Sequence, residues 1–267
     1  MARLLQRGDV AGETEALGLL TGTVPPPPTE TLADRVTQLG APVNSRPTAA
    51  QLDALAAPYL AGYVAELVTA LTAHGPHGAP LQDPAWHAQL LQAFERYRVL
   101  AVHRNGPLGV AGLERALAER VRAAVGENTL QQLGFWLGQP VLVTENAYDV
   151  ALMNGDIGLV LPTADGLQAV FARTVAGQLQ TKPVALVRLP QVAGALAMTV
   201  HKSQGSQFAR VALVLADRDS PIQTRELVYT GITRASERLD WLGTPERMAQ
   251  ALARRVSRAS GLGELLW

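Results

Sequence analysis

The run Tyr97-Arg98-Val99-Leu100-Ala101-Val102 constrains the fold most, because it is short, apolar and flanked like a buried strand. It ends at Arg104-Asn105-Gly106-Pro107, and the spacing beyond predicts a helix from about Val110 to Ala124. A strand, a glycine-bearing turn and a helix make up the α/β unit, in which ligands meet the carboxyl ends of strands. Two later apolar runs, Ala195 to Val200 and Val211 to Leu215, extend the same parallel sheet. After them the pattern predicts a helix from about Thr224 to Ala235, a strand around Leu239 to Leu242 and a last helix from Pro245 to Ser257.

Between those parts, residues 139–189 change texture. Val141-Leu142-Val143, Asn154-Gly155-Asp156-Ile157-Gly158, the run around Ala169-Val170-Phe171 and Val184 to Val187 read as short strands. Asn-Gly between apolar runs is a tight-turn signal, and one carboxylate among turn residues is a poor metal ligand set, so a hairpin is expected there. The segment reads as a small antiparallel β-barrel inserted into the α/β domain. Residues 1–95 read as mainly helical. The first 20 residues have helical spacing, Pro25 to Pro28 forms a stiff spacer, and a helix from Pro47 to His74 should kink at Pro58. Asp83-Pro84 opens a further helix through Phe94. The expected division is therefore 1–95, then 96–138 with 190–267 as one α/β domain, interrupted by 139–189.

Composition excludes several functions. The chain has no cysteine, which removes disulfides, thiolate metal sites and cysteine nucleophiles. No apolar stretch approaches the roughly 20 residues that span a bilayer, so no membrane partner and a cytoplasmic location are expected. The five histidines show no paired spacing for zinc, and no metal site is expected. Net charge is zero over the chain, yet residues 199–258 hold ten Lys or Arg against six Asp or Glu. Phosphate contacts should concentrate there.

Within that basic part lies Thr199-Val200-His201-Lys202-Ser203-Gln204-Gly205-Ser206-Gln207-Phe208, following a strand end. Thr199 and Ser203 offer hydroxyls, His201 can donate or stack, Lys202 is cationic, and Gly205 lets backbone approach a ligand closely. Such a string between two apolar strands is hard to explain as packing. Arg234, near the end of the helical run with Leu227, Val228 and Ile232, is a fixed charged fork suited to a transferred phosphoryl group, or a solvated arginine at a helix C-terminus. Arg104 poses the same question, and Arg247, Arg254, Arg255 and Arg258 read as a solvated helix face.

These residues resemble the C-terminal half of the RecD family, the α subunit of bacterial exodeoxyribonuclease V, a superfamily-one DNA helicase in double-strand break repair and recombination. Ala197 to Ser206 is similar to its fifth motif and Arg225 through Arg234 to its sixth, while Leu100 to Gly112 resembles the fourth motif region. The resemblance implies a RecA-like second motor domain carrying the inserted barrel, acting as part of an ATP-dependent enzyme. It implies Arg234 as the arginine finger and Arg104 as a second γ-phosphate contact. Gly205, Ser206 and Gln207 would lie near the nucleotide, with Thr199, His201 and Lys202 near single-stranded DNA. The family usually has glutamate where this chain has Gln207. Since the chain contains no G-x-x-x-x-G-K-[ST] run, ATP and Mg²⁺ would be held mostly by an N-terminal helicase half, and this part alone would be inactive. Other partners implied are the remaining exodeoxyribonuclease V subunits. Alternatives are a non-catalytic single-stranded DNA or subunit-binding module, or the helicase part of a conjugative relaxase.

Overall fold

The computed structural model describes residues 10–21, 35–126, 130–175 and 178–256. The Pro25 to Pro28 spacer and Arg258 lie outside these residues. Along the chain run α1 (Val10–Thr21), β1 (Val36–Gln38), α2 (Ala49–Tyr59), a π-helical turn (Leu60–Val64), α3 (Ala65–His74), α4 (Pro84–Glu95) and β2 (Tyr97–Ala101). Then come α5 (Val110–Val125), β3 (Gln131–Gln132), β4 (Phe135–Trp136), β5 (Pro140–Val143), β6 (Ile157–Thr163), β7 (Gly166–Val175), β8 (Gln178–Ala185) and β9 (Val192–Gly194). The last part comprises β10 (Ala197–Thr199), a 3₁₀ turn (Val200–Ser203), β11 (Phe208–Val214), α6 (Arg225–Ile232), β12 (Ala235–Leu242) and α7 (Pro245–Ala253).

Helix starts follow local chemistry. Thr48 and Gln51 form a reciprocal capping box on α2, with N–H···O distances of 3.2 and 2.9 Å. Asp83 caps α4 with Pro84 in its first turn, and Thr224 and Thr244 cap α6 and α7.

A five-stranded sheet, order β1-β12-β11-β2-β10, is parallel throughout. One face buries Leu100, Met198, Leu213 and Trp241 with α1, α6 and α7, and the other buries Val99, Ala101 and Val214 under the helices of residues 49–125. β1 was not legible in the sequence, because three half-buried residues carry no period. It pairs with β12, Val36 opposite Leu239, and Trp241 Nε1 donates to the Leu20 carbonyl at 3.1 Å. Residues 1–95 are therefore not only helical, since α1 and β1 build part of the parallel-sheet layer.

The expected kink is displaced. Pro58 sits inside α2, while the non-helical dihedrals fall at Gly62 (φ −95°, ψ −119°) in the π turn. Proline removes a backbone donor, and the disturbed register is absorbed one turn later, where glycine has no Cβ to clash. The sequence reading also missed that Ala49–His74 is long and apolar enough to cross a membrane by length and composition. Its many alanines and only two acidic residues make the stretch that apolar. Leu55, Tyr59, Tyr63 and Leu67 of this helix are buried in the protein core.

The insertion is an antiparallel sheet, order β8-β7-β6-β5-β9. β8 and β9 form its edges, with no ladder between them among the described residues, so the expected barrel is here an open sheet. It also runs past residue 189, because β9 pairs with β5. Asn154-Gly155 does turn, with Gly155 at φ +99°, but it is not a two-residue hairpin. It lies at the end of the 144–156 connection, where Gly155 N bonds Val143 O and Asp156 pairs with Arg173 at 2.7 Å. His87 ties the insertion to the helical layer through contacts of 2.8 and 3.0 Å to the Leu81 and Pro162 carbonyls. Burial pushes its pKa down.

Candidate functional site

The segment 199–208 leaves the carboxyl end of β10 and reaches the amino end of β11, which lies two strands away across β2. Thr199 starts it: its Oγ1 accepts from Lys202 N at 3.3 Å, which turns the chain into the 3₁₀ helix. Ser203 is fully buried and donates to the Val200 carbonyl at 2.7 Å. These hydroxyls thus shape the segment rather than standing free. Gly205 takes φ +88°, a conformation that favours glycine, and His201, Lys202, Ser206 and Gln207 are left exposed.

Arg234 meets this segment from α6. Its Nη1 donates to the Ser206 carbonyl at 2.9 Å, Nε to Thr230 O at 3.2 Å and Nη2 to Thr233 Oγ1 at 3.2 Å. Phe208 N in turn donates to the Arg234 carbonyl at 2.8 Å. The close approach of α6 to the sheet depends on Gly231, where a Cβ would lie 2.9 Å from Leu213 Cδ1. The two sequence motifs, some 30 residues apart, are therefore joined by a guanidinium clasp.

Arg104 is not brought to Arg234. It follows β2 at the carboxyl edge of the parallel sheet, whereas Arg234 precedes β12 at the amino edge. Seven residues of β11 separate these edges, roughly 20 Å at ~3.3 Å per residue. The glycine-rich turn after Arg104 is partly closed on itself. Val110 N and Ala111 N already donate to the His103 and Arg104 carbonyls, and a Cβ on Gly109 would lie 2.2 Å from Asn105 O. Its glycines serve a tight fold-back.

What Arg104 does join is a largely apolar cavity of about 450 Å³, shared with Thr199, Lys202, Arg115, Met198 and Leu142. Lys202, Met198 and Leu142 also border a second cavity of about 550 Å³ on the other side, lined by Arg98, Asp156, Ser206 and Gln207. His201, though adjacent to Lys202, faces neither. It borders a groove with Thr230 of α6 and Arg254. The expected strand-contact set thus divides, Thr199 and Lys202 with Arg104, His201 elsewhere.

In and just after α7, arginines expected on a solvated face hold a loop. Arg247 Nε donates to Asp217 O at 2.8 Å, and Arg254 pairs with Asp219 at 2.6 Å, which lowers the Asp219 pKa. Two further residues escaped the sequence reading. Glu114 of α5 accepts from Ala197 N at 2.8 Å where the insertion rejoins the sheet, and burial raises its pKa to about 7. Arg98 is fully buried on β2. An arginine inside an otherwise apolar strand was the available signal.

A family profile described as the UvrD-like helicase C-terminal domain matches residues 194–239, the stretch from β9 to β12 that carries the clasp. The RecBCD enzyme subunit RecD of Mycolicibacterium smegmatis is 39% identical over 196 residues, 72% of this chain and 33% of that protein. RecD of Haemophilus influenzae is 36% identical, covering 67% of this chain and 27% of its own length. The ATP-dependent RecD2 DNA helicase of Deinococcus radiodurans is 32% identical over 62% of this chain and 23% of its own length. Among solved structures, the Pif1 helicase of Candida albicans aligns with 69% of this chain and 54% of its own, at a TM-score of 0.36 and 13% identity. The chain spans about a third of the length of the first of these curated relatives. Through its helicase C-terminal segment and most of its length, the chain is a homologue of RecD helicase subunits, consistent with their C-terminal portion.

Proposed function

We propose that the chain is the C-terminal motor portion of an ATP-dependent 5′–3′ DNA helicase of RecBCD type, acting in double-strand break repair and recombination in the cytoplasm. The single observation that carries this is the clasp of Arg234 on Ser206. It puts an always-charged fork beside exposed Ser206 and Gln207, while Thr199, Lys202 and Arg104 gather on the opposite side of the same segment. One short segment can then sense nucleotide at one end and strand at the other.

In this reading the parallel-sheet layer, residues 96–138 and 195–256 together with α1 and β1, forms the second motor domain, and the open antiparallel sheet is the unit inserted into it. Arg234 keeps N–H donors beyond its three bonds, and these meet charge building on the γ-phosphoryl group when the two motor domains close. Gln207 hydrogen-bonds the nucleotide without adding charge. Arg104, Thr199 and Lys202 hold the strand, so Arg104 serves there rather than at the γ-phosphate. ATP supplies the phosphoryl transfer that drives movement. In the same reading Mg²⁺ is held mostly by the phosphate-loop half.

The test is reconstitution with an N-terminal polypeptide bearing the phosphate loop. The isolated chain is expected to show no DNA-stimulated ATPase, and the mixture to regain it. Arg234→Ala should lower kcat about a thousandfold or more with little change in strand binding. ATPase in the isolated chain, or an Arg234→Ala mixture at full rate, would overturn the proposal.

A further inference from the structure

Arg98 is fully buried, yet its Nε and Nη2 have no hydrogen-bond partner. Only Nη1 donates, to the Ala195 carbonyl. The guanidinium carbon sits 4.3 Å from the Phe94 ring centroid and 5.3 Å from that of Phe208. Such stacking stabilises the charge but supplies no acceptor. Buried charged donors left unpaired carry a penalty that folded proteins avoid by pairing or by ligand contact.

The same side chain lines the cavity of about 550 Å³ between the parallel sheet and the insertion. Its lining has a mixed character. Glu95 and Asp156 bring carboxylates, Asn154 and Gln207 amides, Lys202 a cation, and Met198 and Phe208 apolar surface. Two carboxylates, Glu95 and Asp156, stand against the cations Arg98 and Lys202, so the pocket is not a strongly cationic cradle for phosphates. A flat heterocycle with both donors and acceptors on its edge, able to lie against Met198 and Phe208, matches this lining better than a simple anion.

We propose that this cavity is a nucleobase pocket, in which a ring nitrogen or carbonyl oxygen of the base accepts from Arg98 and the insertion forms the facing wall through Leu142, Ile157 and Ala172. The choice of a nucleobase rests on the nucleic-acid reading above, whereas the orphaned guanidinium stands independently of it. The base can come from a nucleoside triphosphate or from a single strand, since Gln207 and Lys202 both border the pocket.

Two fluorescent probes separate these sources: 2-aminopurine riboside triphosphate, and a single-stranded oligodeoxynucleotide with one internal 2-aminopurine. Binding of one probe to the full chain should change its fluorescence. Arg98→Met should weaken that binding at least tenfold while leaving the melting temperature unchanged or higher, because it removes the unpaired donors. Ala172→Phe fills the cavity from the insertion side without touching Arg98, and should weaken the same probe to a similar extent. The responding probe names the source. If neither probe binds, or if both variants bind within twofold of the unaltered chain, the pocket assignment is wrong. Strand binding that is lost on Lys202→Ala but insensitive to both pocket variants would sink the pocket alone and leave the helicase reading standing.

Discussion

Glu114→Gln is expected to abolish a pH dependence of stability that the fold builds into α5. The Glu114 side chain is half-buried beneath β10, its carboxyl accepting from Ala197 N, and loss of solvation raises its pKa from 4.5 to about 7 against the opposing pull of that bond and of Arg98. A carboxyl with a raised native pKa is stabilising in its protonated form. Its contribution is fully present below the unfolded value of 4.5 and is lost as pH rises toward 7, because only the native state still binds the proton in that window. At 1.36 kcal/mol per pKa unit, the loss amounts to about 3 kcal/mol. For a chain of this size that corresponds to roughly 6–12 °C in melting temperature. The assay is thermal or urea unfolding of both proteins at half-unit steps from pH 4.5 to 8. His87 titrates in the opposite sense, since its lowered pKa adds stability above 6.5 that is lost as pH falls, so the difference between variant and unaltered chain is the quantity to plot. That difference should grow in favour of the glutamine variant up to pH 7 and then level off. A difference that is flat across the window would refute the assignment of a proton-binding Glu114.

Gly194→Ala should destabilise by about 1–3 kcal/mol, because a Cβ there would fall 2.0 Å from Glu114 Oε1 and push the carboxylate off Ala197 N; a double-mutant cycle with Glu114→Ala should recover most of that loss. Tyr63→Phe removes a buried hydroxyl that has no partner and should raise stability by about 1 kcal/mol, whereas a loss of that size would mean the hydroxyl is satisfied. Asp240 is 2% exposed and held by Arg210 at 2.5 Å and Arg238 at 3.4 Å. Asp240→Asn should therefore cost about 1–3 kcal/mol in urea unfolding, the smaller value because both arginine side chains are about a third or more exposed and water screens the charge left behind.

The sequence by itself determined what is local. The period and flanks of β2, α5, β11 and α7, and the capping residues Asp83 and Thr224, are legible because propensity, apolar spacing and turn chemistry act over a few residues. The motif strings around Lys202 and Arg234 were legible for the same reason. Tertiary structure alone decided which of these residues meet. It set Arg104 and Arg234 on opposite edges of the parallel sheet, turned His201 away from Lys202, and drew β1 into a sheet whose next strand, β12, lies some 200 residues on. It left the insertion an open sheet among the described residues and placed Arg98 at a buried and Glu114 at a half-buried position between layers. Strand order and burial are sums over contacts between distant segments, and no local period records them. A charged residue inside an apolar strand is the one trace they leave in the sequence, and at Arg98 that trace marks the cavity floor.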